Sequence, residues 1–156
     1  MRNRRFGFLL ALAVSAALSA QAVSASEQSL IMATARQFLS GVNSGDMTSS
    51  VAACASPAWI IDDFPPHEWQ GPTACADWAR AFQQAAKEEG ITDNNVTLGQ
   101  PWHVDITGDR AYVVIPARYA YKQHGKPMVE AGSIFTMVMH KLPTGWRISS
   151  WAWAEH

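Results

Sequence analysis

No pair of histidines in this chain has metal-ligand spacing. His67, His103, His124, His140 and His156 form neither H-x-x-x-H nor H-E-x-x-H, which argues against a zinc site. There is no G-x-S-x-G elbow, phosphate-binding loop or Ser-His-Asp order, and nothing calls for a cofactor. A basic stripe is also absent, which argues against nucleic acid as a partner. Internal repeats, low-complexity segments and long linkers are missing. Cysteine is scarce: Cys54 and Cys75 are the only two, both on small-residue stretches without an adjacent base, and neither reads as a nucleophile.

The N-terminus is distinctive. Arg2, Arg4 and Arg5 precede an apolar run, Phe6–Ala20, followed by small residues ending in Val23-Ser24-Ala25. This pattern predicts a secretory signal peptide over residues 1–25, cleaved after Ala25 or, as second choice, Ala22. An uncleaved anchor is the alternative, but the run is short for a membrane span. The expectation is therefore a periplasmic or secreted protein, off the membrane after cleavage. Residues 26–156 suffice for one core, and losing the three arginines moves the formal charge from −1 to −4. In an oxidising compartment Cys54 and Cys75 form a disulfide or remain two buried thiols; spacing alone does not choose.

Helical periodicity predicts a first helix over Ser26–Val42, with Leu30, Ala33, Thr34, Phe38 and Leu39 on one face, broken at Asn43-Ser44-Gly45. Asp46 caps a short second helix reaching about Ala55, with Pro57 as its stop. A third helix spans Ala74–Glu89, with Cys75, Trp78 and Phe82 on its apolar stripe and Gly90 after its end. The period then changes to two. Strands are expected at Asn95–Ile106 (with a bulge at Pro101), Arg110–Gln123, Pro127–Lys141 and Trp146–Ala154. Helices first and antiparallel strands afterwards make an α+β fold, the helices covering one face of a curved, mostly antiparallel sheet. Such a sheet leaves a conical space open at one end, a ready pocket for an apolar ligand.

Chemistry is hinted at in one stretch, SPAWIIDDFPPHEWQG, residues 56–71. Residues 58–64 read as a strand, on which Trp59, Ile61 and Asp63 share one face and Ile60, Asp62 and Phe64 the other. Whichever face is buried, one carboxylate goes in with it, and a carboxylate in an apolar cleft is a potential general base near neutral pH. His67 and Glu68 follow on a proline-stiffened loop. Tyr119 and Tyr121 share one strand face, Arg118 and Lys122 the other, and Glu130 on the next strand meets either set depending on register. Trp151 and Trp153, in line with Arg147, read as core packing or a dimer seam ahead of a ligand wall.

Four landmarks carry a family resemblance: FLSGVNSGD (38–46), WIIDDFPPHEWQGPTACADW (59–78), VDITGDRAYVV (104–114) and GWRISSWAW (145–153). Their order over the helix–helix–strand–helix–strands plan resembles the NTF2-like superfamily, in particular its SnoaL-like and ketosteroid-isomerase-like members. The resemblance implies a cone-shaped barrel with three N-terminal helices, a homodimer joined through the sheet, and either catalysis or plain ligand binding. In the isomerase branch the base lies at the end of the first strand, a place matched by Asp63, with Asp62 one residue away. The branch's oxyanion tyrosine falls on Phe38, which has no hydroxyl, and its second donor falls near Ser133. Losing such donors removes on the order of 3–4 kcal/mol of transition-state stabilisation each, which disfavours isomerase chemistry. A cyclase-type site would pair Asp63 with His67, and an epoxide-hydrolase pattern would need Arg118 beside Asp62 or Asp63. The reading reached is an exported domain binding a small apolar or aromatic molecule in a pocket lined by Trp59, Phe38, Trp78, Tyr119, Tyr121 and Ser133. The alternative is a cyclase, isomerase or hydrolase using Asp63 (or Asp62) as base with His67.

Overall fold

A computed structural model describes the backbone of residues 8–155 and the side chains of residues 26–155. The expected signal peptide, residues 1–25, lies outside the residues whose side chains are described. Among the described residues no helix is long and apolar enough to cross a membrane.

The chain begins with helix α1 (Phe8–Ser44), a short α2 (Met47–Ala52), strands β1 (Cys54–Ile61) and β2 (Glu68–Gly71), and helix α3 (Ala74–Glu88). Strands β3 (Ile91–Leu98), β4 (His103–Thr107), β5 (Arg110–Gln123), β6 (Lys126–Leu142) and β7 (Gly145–Ala154) follow. The buried stripe of α1 is Ile31, Ala35, Phe38, Leu39 and Val42. Leu30, expected on that stripe, is 54 % exposed, because the helical period anchored on Phe38 passes through Ile31 instead. At Gly41 the helices touch: an added Cβ would lie 2.2 Å from Ser50 Oγ, which itself donates a 2.6 Å hydrogen bond to the Phe38 carbonyl. Asp46 caps α2 by accepting from the Ser49 amide at 3.2 Å. That helix ends three residues before the expected limit, and Pro57 falls inside β1 rather than stopping the helix.

The strands form one sheet in the order β2-β1-β7-β6-β5-β3, with β4 also on β5. Every pairing is antiparallel except β1 with β7. The sheet is open at both ends of this order. The strand expected over Asn95–Ile106 is two strands. β3 pairs with residues 117–123 of β5 and β4 with residues 110–114, leaving a gap at Pro101 and Pro116. Neither proline has an amide hydrogen to give the ladder. A bulge between Val138 and Met139 resets β7, so Trp146 and Ile148 point inward before it and Trp151 after it. Arg147 is therefore out of line with Trp151 and Trp153, contrary to simple alternation.

Polar side chains of α1 fix it to the sheet, and Thr34 Oγ1 donates to the Trp146 carbonyl at 3.3 Å. The Asn43 amide acts as a substitute strand partner, donating to the Val96 carbonyl at 2.9 Å and accepting from the Val96 amide at 2.7 Å. Glu27 accepts from Trp146 Nε1 at 2.7 Å and Lys141 Nζ at 2.8 Å. The helix α3 is tied covalently as well: Cys54 at the start of β1 is disulfide-bonded to Cys75, 21 residues on. Closing a loop of that length stabilises the fold by about 3 kcal/mol. Urea unfolding should therefore show a double Cys54→Ser, Cys75→Ser variant less stable by roughly that amount; unchanged stability would contradict a structural role for the bridge.

Candidate functional site

The site is built from the end of β1. Ile60 is fully buried and Ile61 is 57 % exposed, and the alternation continues for one residue past the strand, sending Asp62 inward. The turn that follows holds it there. The Asp62 amide donates to the His67 carbonyl at 3.1 Å, and the His67 amide donates to the Phe64 carbonyl at 3.0 Å. Both carboxylate oxygens of Asp62 accept hydrogen bonds, Oδ1 from the Asp63 amide at 2.9 Å and Oδ2 from the Trp78 indole Nε1 at 2.7 Å.

Asp62 and Trp78 stand in the wall of a cavity of about 330 Å³ enclosed by α1, α3 and the inner face of the sheet. Its floor is aromatic. Trp78 meets Trp151 at 4.9 Å with perpendicular rings, lies 5.4 Å from Phe82, and is 5.4 Å from Phe38. Phe135 packs against Trp151 at 5.4 Å. On the other side Tyr119 and Tyr121 stack at 4.5 Å, and the Tyr119 hydroxyl donates to Asn94 Oδ1. The size and apolar lining are those of a small-molecule site.

Burial in these surroundings raises the Asp62 pKa to about 7. The Trp78 and Asp63 hydrogen bonds oppose that rise, and the neighbouring Asp63 carboxylate adds a smaller upward push. Burial also raises Glu130, helped by the Glu155 and Asp63 carboxylates, with Tyr121 acting the other way. Tyr119 is shifted upward by burial and then by Glu130, and stays neutral throughout the physiological range.

The sequence-nominated residues divide into two groups. Phe38, Asp62, Asp63, Trp78, Tyr119 and Tyr121 all line the cavity. Asp62 is the enclosed carboxylate, whereas Asp63 is exposed at the lip, so the inward position is the one-residue alternative to the primary assignment. Trp59 is elsewhere: it is 48 % exposed on the opposite sheet face, its indole donating to Gln70 Oε1 at 3.1 Å. His67 has a φ of 72° and places its ring Nδ1 3.2 Å from the Asp62 carbonyl oxygen; it does not line the cavity and is not paired with Asp63. Ser133 is fully buried outside the lining, without a hydrogen-bond partner among the described residues. Arg118 is exposed and away from both aspartates' cavity.

Trp151 and Trp153 are cavity wall as well as core, and Phe135, Glu89 and Glu130 were missed as lining residues. Glu130 was readable. The turn at His124-Gly125 pairs Gln123 with Lys126, and counting back along both strands sets Tyr119 opposite Glu130, hence on its face.

No family model and no curated protein matches this chain. Solved structures do. An NTF2-like protein with a cystatin-like fold from Novosphingobium aromaticivorans superposes with a TM-score of 0.71 at 17% identity, over 88% of this chain and 87% of that one. A ketosteroid isomerase-like protein from Erwinia carotovora atroseptica gives 0.64 at 17% identity, over 81% and 94%. A type 2 hexachlorocyclohexane dehydrochlorinase gives 0.72 at 10% identity, over 85% and 87%. At these identities the likeness is one of architecture: the chain has the NTF2-like fold, α+β with a mostly antiparallel open sheet.

The raised pKa of Asp62 has a consequence for stability. An aspartate in the unfolded chain titrates near about 3.9, so between roughly pH 4 and 7 the folded chain holds a proton that the unfolded chain releases. This contribution is fully present below about pH 4 and is lost as pH rises towards 7. Asp62→Asn should flatten the stability profile across that window, removing a fall on the order of a few kcal/mol, as read by urea unfolding at a series of pH values. Parallel profiles for the two proteins would contradict the burial of this carboxyl.

Proposed function

We propose that this chain is an exported small-molecule-binding domain whose cone-like sheet and helices hold a largely apolar or aromatic ligand, with Asp62 as the polar anchor. The observation that carries the reading is the enclosed Asp62 carboxylate, hydrogen-bonded to Trp78 in the wall of an aromatic cavity of about 330 Å³. Export is supported by the basic-then-apolar N-terminus and is compatible with the Cys54–Cys75 bridge. Among its structural neighbours are proteins described as ketosteroid isomerase-like and as a dehydrochlorinase, so the same architecture accommodates ligands and chemistry elsewhere.

A second reading is an isomerase-, cyclase- or hydrolase-type enzyme with Asp62 as general base. It is favoured by a carboxyl whose pKa of about 7 suits proton abstraction at neutral pH. What weighs against it is that the two oxyanion positions of the isomerase resemblance carry no usable donor: Phe38 has no hydroxyl and Ser133 is outside the lining, while the Tyr119 and Tyr121 hydroxyls are engaged by Asn94 and Glu130.

Titration with 1-naphthol should quench tryptophan fluorescence saturably, because Trp78, Trp151 and Trp153 line the cavity. Ala86→Trp, which puts a bulky ring into the lining from a half-buried position on α3, should weaken binding at least tenfold. Equal binding by the two proteins would place the ligand elsewhere. Solvent deuterium uptake by a β,γ-unsaturated ketone separates the readings. Binding alone gives no protein-dependent exchange, whereas catalysis gives exchange that falls by about 10²-fold or more in Asp62→Asn.

A further inference from the structure

The cavity lining is electrically one-sided. Among the described residues it contains four carboxyl side chains, Asp62, Asp63, Glu89 and Glu130, and no lysine, arginine or histidine. These acids arrive from three separate parts of the fold: the turn after β1, the C-terminal end of α3, and β6. Glu89 is the C-cap of α3, so the negative end of a 15-residue helix dipole lies at the same place. Lys87, in the last turn of that helix, is exposed and outside the lining. Aromatic rings make up much of the rest of the wall, beside aliphatic side chains, among them the stacked Tyr119–Tyr121 pair beside Glu130 and the Trp78–Trp151 pair beside Asp62.

From these features we infer that the ligand is an organic cation, an aromatic or apolar body carrying a protonated or quaternary amine. The inference rests on the binding reading above and narrows its ligand class. Ring faces attract a cation through their quadrupole, and the attraction strengthens where water is excluded. The carboxylates at the lip and on α3 and β6 supply the counter-charge at the same site, and a cation beside Asp62 favours its ionised form. Glu130 is shifted upward by burial first and then by the Glu155 and Asp63 carboxylates; the like-charge part of that shift is relieved by a positive ligand and worsened by a negative one. A neutral ligand gains only burial. An apolar carboxylate, sulfate or phosphate ester meets repulsion with no cation in the lining to offset it.

A matched set of probes tests the charge directly: 3-phenylpropylamine, 3-phenylpropanol and 3-phenylpropionate, each titrated into the purified protein at pH 7.5 and low salt by tryptophan fluorescence. The amine should bind at least tenfold more tightly than the alcohol, and the propionate most weakly. Added salt should shrink the amine's advantage. Combining Glu89→Gln with Glu130→Gln, both at partly or fully exposed positions, should cut that advantage to threefold or less. If alcohol and amine bind equally, or the propionate binds best, the cation inference is overturned and the cavity still stands as a binding site. If neither these probes nor 1-naphthol bind, both readings fall together.

Discussion

The buried hydrogen bond from the Trp78 indole to the Asp62 carboxylate, 2.7 Å long, ties together the parts of the molecule that make the cavity. It joins the residue that follows β1 to the second turn of α3, while the Cys54–Cys75 disulfide joins the beginnings of the same two elements. Between these two ties α3 has little freedom to move on the sheet. Trp78, held at its nitrogen, presents its ring edge to Trp151 and its face to Phe82, and Phe38 of α1 closes on it from the third side. Each such ring pair adds about 0.5–1.5 kcal/mol beyond its buried area. Removing the indole donor would leave a desolvated carboxylate with only the Asp63 amide for support, an arrangement costing more than the bond itself contributes.

The same bond sets the chemistry. A carboxylate excluded from water is driven towards its protonated form, and a well-placed donor pulls it back. In Asp62 burial prevails, and the group is poised between its charged and neutral states at neutral pH. Asp63, one residue along, faces solvent and contributes charge at the lip rather than an enclosed acid. Two adjacent aspartates thus acquire different roles from strand alternation alone.

That alternation shows how far the sequence could be read. The helices and the long strands were legible because each carries many periodic positions, and the β5 limits Arg110–Gln123 follow directly from turn residues at both ends. The choice between Asp62 and Asp63 depended on which face of β1 is buried, and the flanking residues Trp59, Ile60 and Ile61 are apolar on both faces. Periodicity has no contrast there. Bulges hid more: the one between Val138 and Met139 turns Arg147 away from Trp151, and the irregular stretch between Cys54 and Trp59 lets β1 begin where a helix end was expected. His67 follows Asp63 closely in sequence and Trp59 shares the expected strand with it, yet the tight turn after Asp62 and the outward face of β1 take them away from the cavity. The acidic lining was not legible as a set, since its members come from elements far apart in the chain.

The cavity's chemistry depends on the state of one carboxyl group. Selective ¹³C labelling of aspartate and an NMR titration of the Asp62 side-chain carbon, assigned by its loss in Asp62→Asn, measure it directly. A midpoint near pH 7 is the predicted result, with the Trp78 indole proton resonance shifting over the same range. A midpoint near that of an ordinary aspartate, with an indole signal insensitive to pH, would mean that Asp62 is solvated and that the cavity lacks its anchor.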